Sequence, residues 1–467
     1  MTHLHIIGIC GTAMAGLATM AKEQGVQVTG SDSGIYPPMS TLLESFAIPL
    51  MEGFRPENLL PRPDLVLVGN AISRGNPELE AVLEQGIPYR SGAQWLFEQV
   101  LEGRHAVVAT GTHGKTTTTS LLACIWEEAG LHPGFLIGGI PLDFGQGARL
   151  PTGPWVMVEG DEYDTAFFDK RPKFLHYRPR TLIINNLEFD HADIYADLEA
   201  IRRQFRLLLR SVPASGHLIV NGDDPEVEAL LAHAHSQVFR YGLAAHHPFR
   251  ATLESDDGRH WTLHREGEAL FSVHWNLLGV HNVTNGLAAA TAALVNDIPP
   301  AQVRAGLERF QGVARRLQLR FEVNQVAVYD DFAHHPTAIA TTLAGMRAAI
   351  GGARLWVVLE PRSNTMRGRV HQERLAPAFA AADRVILCHP QARGMAAERL
   401  LDVDAVVAQL NQRNTTDTSP VGKVVADANE AVQWLGRHCR PGDHVVIMSN
   451  GGFDGIHQKL QQELLPR

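Results

Sequence analysis

A chain of 467 residues, 45% of them hydrophobic and 19% charged, has an ordinary globular balance and too much length for one core, so about two or three domains are expected. The net charge of −9 is spread along the chain, and no Lys/Arg run interleaved with aromatic residues marks a nucleic-acid groove. Cys10, Cys124, Cys388 and Cys439 form no CxxC pair, which excludes a zinc ribbon or disulfide framework and fits the reducing cytoplasm.

No signal peptide is expected, because His3 and His5 stand where its basic residues belong, and no apolar run reaches the roughly eighteen residues that span a membrane. Short apolar runs alternate with helical patterns from end to end, the mark of parallel α/β domains. Three blocks are expected, at residues 1–103, 104–312 and 313–467.

In the first block Leu4–Ile9, Gln27–Thr29 and Leu65–Val68 read as strands, and about Met14 to Gln24 as a helix. Gly8, Gly11 and Gly16 follow the first strand, and Gly30-Ser31-Asp32 ends the second. The layout is similar to a dinucleotide fold, with glycines near a pyrophosphate and an acid near a ribose. The spacing is GxxGxxxxG and not GxGxxG, so NAD is disfavoured while another diphosphate-bearing nucleotide fits. A glycine turn that serves only helix-to-strand packing is the competing reading.

The second block opens with the strand His105–Thr110, which runs into Gly111-Thr112-His113-Gly114-Lys115-Thr116-Thr117 and then a helix. That is the layout of a P-loop: backbone N–H groups converge on phosphate oxygens, the lysine reaches the β- and γ-phosphates, and a threonine hydroxyl ligates Mg²⁺. Ala109 replaces the first glycine of the usual GxxxxGK[ST] pattern. Lys115 reads as an exposed turn residue whose removal would uncover phosphate charge and cost little packing.

Strands at Trp155–Val158 and Thr181–Ile184 are followed by the polar clusters Glu159–Asp164 and Asn185–Asp193. In a parallel sheet both clusters stand at the same edge as the P-loop, where carboxylates and an imidazole can hold a divalent cation. Helix capping is the plainer use of such residues. A further strand is expected at His217–Val220, an antiparallel excursion at Val238–Trp275, and helices at Val283–Val295 and Pro300–Phe310. The third block starts around Val313–Arg320, with strands at Val326–Tyr329, Leu355–Leu359, Arg384–Leu387 and His444–Met448 and a polar surface loop at Asn411–Ser419.

In order along the chain, Gly8–Gly16 with Gly30-Ser31-Asp32, Thr110–Thr118, Glu159–Asp164, Asn186–Asp193, His281–Asn285, Arg315-Arg316, Asp330–Thr337 and Ser449–Ile456 together resemble the Mur ligase family over nearly the full length. The resemblance implies an α/β fold of three domains: a Rossmann-like domain for UDP, a central P-loop domain for ATP, and a second Rossmann-like domain that closes on both. It implies ATP and Mg²⁺ as cofactors, and amide formation at the lactyl carboxylate of UDP-N-acetylmuramate through an acyl phosphate. Tyr36–Glu44, Phe167–Arg171, Glu360–Met366 and Met448–Phe453 are more similar to the branch that adds the tripeptide L-Ala-γ-D-Glu-meso-diaminopimelate, in cell-wall recycling, than to the alanine-adding branch.

Residue by residue, the resemblance assigns Gly8, Gly11, Gly16, Ser31, Asp32, Asn70, Ala71 and Ile72 to the UDP-sugar. Gly111 to Thr117, Asn285, Arg316 and Asp331 fall to ATP, with Asn285 at adenine, Arg316 at the triphosphate and Asp331 at the ribose. Thr116, Glu162 and His191 fall to metal, Glu162 being preferred within its cluster. Lys115, Glu162, His191 and Arg316 carry catalysis, and Phe332, His335, Arg362, Ser363 and Asn364 face the peptide.

Arg202–Arg206, where several related ligases carry a carbamylated lysine, holds no lysine, so a carbamate bridging two metals is not expected. A monomer or weak dimer is expected. Two other classes compete: an NAD-dependent oxidoreductase, which leaves the P-loop unexplained, and a nucleotide-switched binding protein, which would bind ATP without substrate-dependent ADP release.

Overall fold

The computed structural model describes residues 2–36, 38–392, 394–412 and 421–465. Pro37 of the Tyr36–Glu44 string and residues 413–419 of the polar stretch lie outside the described residues. Three large sheets organise the described residues, beside a two-stranded ribbon of Asp164–Ala166 and Asp169–Pro172.

The first sheet is parallel throughout, in the order Leu50–Glu52, Gln27–Asp32, His3–Ile7, Leu65–Val68, Tyr89–Ser91. All five residues of His3–Ile7 are buried, as a central strand covered on both faces requires. The chain lays strands to one side of it and then returns to the other, so Gly8 and Asn70 lie where a doubly wound sheet opens a crevice. The helix runs Thr12–Glu23, starting before the expected Met14, and the second strand continues through Asp32. Leu50–Glu52 and Tyr89–Ser91 carry too few residues to show a period.

In the ten-stranded middle sheet, His105–Thr110 lies between Thr181–Ile184 and Trp155–Glu159 and is parallel to both. The ends of all three strands therefore share one edge. Gln237–Gly242 is parallel to His217–Asn221, and Phe249–Leu253 joins it in parallel over a short register. Phe249–Leu253, His260–Arg265 and Glu268–His274 pair antiparallel, as do Gly134–Leu136 and Ala148–Arg149 at the opposite edge, so the excursion starts later than Val238. Alternating polarity reports one covered face and carries no information about strand direction.

On one face of this sheet the helix Lys115–Glu128 packs against Val280–Val295 and Pro300–Arg309, around Trp126 and Ile125. The other face shares one continuous apolar cluster with the first sheet, from Leu4 and Ile6 to Val108, Val158 and Phe205. Gly16 is part of that join: a Cβ there would lie 2.8 Å from the Ala148 Cβ and 2.9 Å from Leu136 Cδ1.

The third sheet runs Gln318–Val323, Val326–Asp331, His444–Met448, Leu355–Leu359, Arg384–Cys388, Gly422–Val425, parallel except for the first pair. The last strand in sequence is inserted between Val326–Asp331 and Leu355–Leu359, which gathers the segments after Asp331, Leu359 and Met448 at one edge. Among the described residues no helix is long and apolar enough to cross a membrane.

Candidate functional site

The P-loop strand is buried from Ala106 to Thr110, and Gly111 (φ +125°) and Gly114 (φ +82°) turn the chain into the helix Lys115–Glu128. A Cβ at Gly114 would lie 2.2 Å from Asn285 Oδ1, so the turn closes on the helix Val280–Val295 only with glycine there. Ala109 pairs with Glu159 inside the sheet, where no glycine is needed. The N–H groups of the first helical turn have no intrahelical acceptor and face the turn, the arrangement that holds phosphate.

Lys115 is not the exposed turn residue that the sequence implies. Its ammonium donates to Gly111 O at 2.8 Å and Thr112 O at 3.3 Å, and pairs with Glu162 at 2.7 Å, the two side chains being 12% and 3% exposed. Burial works against the charge on Lys115, but Glu162 and Asp161 outweigh it and hold its pKa above the ordinary value. Burial likewise opposes ionisation of Glu162, and Lys115 and His191 outweigh it, so its pKa is lowered.

His191 Nε2 lies 3.2 Å from Glu162 Oε1; burial pulls the imidazole down and Glu162 more than reverses it, so its pKa is raised. Asp161 completes a set of three donor groups with Glu162 and His191, and Lys173 pairs with it at 2.6 Å.

Thr116, expected to share a metal with Glu162, instead donates its hydroxyl to Glu159 Oε1 at 2.9 Å. The family resemblance prefers Glu162, yet Glu159 is the carboxylate at the end of the neighbouring strand and stands on the P-loop threonine. Arg316 reaches the same hydroxyl, Nη2 to Oγ1 at 3.2 Å, from the start of the third block. Asn285 Oδ1 accepts from Thr118 Oγ1 at 3.4 Å, and Thr117 is buried in the first turn of the helix.

From the third sheet, Asp331 accepts from Leu317 N and Ala333 N, each at 2.7 Å, and burial raises its pKa. Phe332 lies beneath the guanidinium groups of Arg315 and Arg316, at 5.3 and 5.0 Å from the ring centre. His335 caps the helix Pro336–Ile350, accepting from Thr337 N at 3.3 Å. Ser363 caps the short helix Asn364–Arg367, and Asn364 donates to Asp193 at 2.9 Å, so this segment meets the loop after His191. Arg362 lies 3.5 Å from Glu360 and packs against the backbone of Gly451.

In the first domain Asp32 accepts from Cys10 N at 2.9 Å and Gly34 N at 3.1 Å, fixing the glycine turn. Gly8 has φ +82° and touches Ile72, Gly11 opens onto the helix Thr12–Glu23, Asn70 is half-buried and Ala71 exposed. Two of the expected sugar-nucleotide residues are engaged elsewhere. Gly16 serves the join to the middle sheet, and Ser31 is fully buried with its hydroxyl on Glu78 at 2.9 Å. Glu78 is buried and bonded also to His5 at 2.6 Å, whereas in sequence it is only an acid in a helix's first turn.

A P-loop turn backed by carboxylates and an arginine, set between two Rossmann-like sheets, is the architecture of a phosphate-binding, three-domain α/β enzyme. Residues 3–102 match the Mur ligase family catalytic domain, 109–293 the Mur ligase middle domain, and 315–451 the Mur ligase glutamate ligase domain. The chain belongs to the Mur ligase family.

It is 47% identical to UDP-N-acetylmuramate–L-alanyl-γ-D-glutamyl-meso-2,6-diaminoheptandioate ligase of Escherichia coli (strain K12), over 98% of this chain and 97% of that one. It is 33% identical to UDP-N-acetylmuramate–L-alanine ligase of Burkholderia cenocepacia, over 99% and 98%. The crystal structure of a murein peptide ligase from Psychrobacter arcticus is similar at 40% identity and a TM-score of 0.76, covering 99% of each chain.

Proposed function

We propose that this chain joins the lactyl carboxylate of UDP-N-acetylmuramate to the α-amine of L-Ala-γ-D-Glu-meso-diaminopimelate at the expense of ATP. The observation that carries this reading is the full-length likeness to the tripeptide-adding ligase, well above the likeness to the alanine-adding one. We assign residues 1–103 to the sugar nucleotide, 104–312 to ATP and 313–467 to the peptide. We take the reaction to be cytoplasmic, a reading that these substrates and the free cysteines support.

A carboxylate is a poor acceptor because its leaving group would be oxide. Its oxygen therefore attacks the γ-phosphorus, ADP departs, and the acyl phosphate is taken by the amine, which loses a proton as phosphate leaves. Positioning and charge neutralisation are the protein's share. The first-turn N–H groups hold phosphate oxygens, Lys115 exchanges its carbonyl and Glu162 contacts for them, and Arg316 stands over the same point.

The Thr116 hydroxyl and Glu159 carboxylate, already 2.9 Å apart, suit Mg²⁺, which when bound neutralises the triphosphate. Glu162 and His191 form the adjoining donor pair. Closure of the third domain, through Asn364 on Asp193, keeps water from the acyl phosphate.

The test is isotope transfer. UDP-N-acetylmuramate labelled with ¹⁸O in the lactyl carboxylate should yield one labelled oxygen in the released phosphate, in step with peptide adduct. Unlabelled phosphate would overturn the acyl phosphate route.

A further inference from the structure

Glu188 is the meeting point of three segments distant in sequence. Its Oε2 lies 3.5 Å from Nε2 of His113, in the P-loop turn, and 3.5 Å from Nδ1 of His335, which begins the first helix of the third sheet. The two imidazole rings are 4.8 Å apart, and one donor atom from each of the three side chains falls within 4.8 Å of the others. Bonds of about 2.0–2.1 Å to a tetrahedral ion place its ligands roughly 3.4 Å from one another, which the two separations at Glu188 approach.

The surroundings point the same way. Nε2 of His113, His335 and His371 are all buried without a hydrogen-bond partner, and the rings of His335 and His371, each 2% exposed, stand 4.5 Å apart. Buried polar atoms are normally satisfied, and Nε2 of His113, the one of these three that faces Glu188, is the nitrogen that an ion at this point would satisfy. The Thr337 hydroxyl donates to Glu188 Oε2 at 2.8 Å, orienting the carboxylate as an outer partner would. His335 Nδ1 also takes a long bond from Thr337 N, at 3.3 Å, which an ion would replace.

Donor chemistry selects the ion. Two imidazoles and one carboxylate suit Zn²⁺ and leave its fourth position open, whereas Mg²⁺ asks for six oxygens. The set formed by Asp161, Glu162 and His191 is already neutralised by Lys115 at 2.7 Å and Lys173 at 2.6 Å. At Glu188 the nearest such cation is the half-exposed guanidinium of Arg374, at 3.7 Å.

We infer that His113, Glu188 and His335 form a binding site for a Zn²⁺-class transition metal, separate from the Mg²⁺ of the nucleotide. The ion ties the P-loop turn to the third sheet across the cleft. It therefore couples the position of His113, which sits between the two turn glycines, to the seating of the third domain. The site stands on its own geometry and does not depend on which amine the ligase takes.

The full chain, without nucleotide, is dialysed against Co²⁺ and against Zn²⁺ and its metal content measured. One equivalent is expected, with the intense visible absorption of tetrahedral Co²⁺ and a raised thermal midpoint in Zn²⁺. Glu188→Gln and His335→Ala should weaken binding at least about tenfold, and Glu162→Gln should leave it unchanged. The wild-type spectrum alone decides the coordination if a variant fails to fold. No retained metal, the weak absorption of six-coordinate Co²⁺, or loss in Glu162→Gln would each overturn the site.

Discussion

Replacing Lys115 by methionine separates the lysine's part in the scaffold from its part in the chemistry. Methionine keeps much of the side-chain volume but withdraws the ammonium from Gly111 O, Thr112 O and Glu162. The Glu162 side chain, 3% exposed, is then left with His191 at 3.2 Å as its cation. Removing one member of a buried ion pair costs about 3–5 kcal/mol because the other charge is stranded. His191 carries part of that charge, so a loss of about 3 kcal/mol is expected.

For a domain of this size 1 kcal/mol moves the melting temperature by about 2–4 °C, so the middle-domain transition should fall by about 6–12 °C. Trp126 and Trp155, which pack together there, report it by fluorescence. Lys115→Met combined with Glu162→Gln removes the stranded charge and should recover at least half of the loss, while ligation stays abolished in both. A single variant that melts with the wild type, or a double variant that melts below the single one, would refute the reasoning.

Arg316→Ala should slow ligation about 10²–10³-fold with little change in melting temperature, measured as ADP release at saturating substrates; an equal loss of stability would make Arg316 part of the scaffold. Gly114→Ala forces a Cβ to 2.2 Å from Asn285 Oδ1 at φ +82°, and should destabilise the middle domain by about 1–3 kcal/mol and weaken ATP binding, so a variant as stable as the wild type would contradict the turn described. Burial holds His105 and His281 neutral, with pKa values lowered to about 4, so the unfolded chain binds more protons below its own pKa near 6.5. Their stabilisation is complete above that pH and is lost as pH falls toward 4, by about 1 kcal/mol per group at pH 5.5, which denaturant titrations at pH 7.5 and 5.5 will register. Arg362→Ala should raise KM for the tripeptide more than for ATP; equal effects on both would remove Arg362 from the peptide site.

The P-loop was legible because phosphate chemistry needs particular backbone and particular residues within one short turn. Arg316 and Phe332 were named on family likeness, and the fold brings them to that turn through contacts that no local pattern encodes. The central strands of each sheet announced themselves as apolar runs, while Leu50–Glu52 and Gly422–Val425 are edge strands too short to show a period.

Pairing across the fold was the illegible part. Lys115 read as an exposed turn residue because its partner Glu162 lies on another strand's loop. Within one string of carboxylates, sequence could not tell that Glu159 faces Thr116 while Glu162 faces Lys115. Gly16 and Ser31 carry the right residue types for a nucleotide, yet one is needed for the join between domains and the other for a buried carboxylate more than forty positions away.

The central claim is the identity of the amine, and competition between amines tests it most directly. With ATP, Mg²⁺ and UDP-N-acetylmuramate present, equimolar L-alanine and L-Ala-γ-D-Glu-meso-diaminopimelate are offered together and the products separated by mass. The account predicts the tripeptide adduct almost alone, with ADP released in equal amount; a preference for free L-alanine would contradict it.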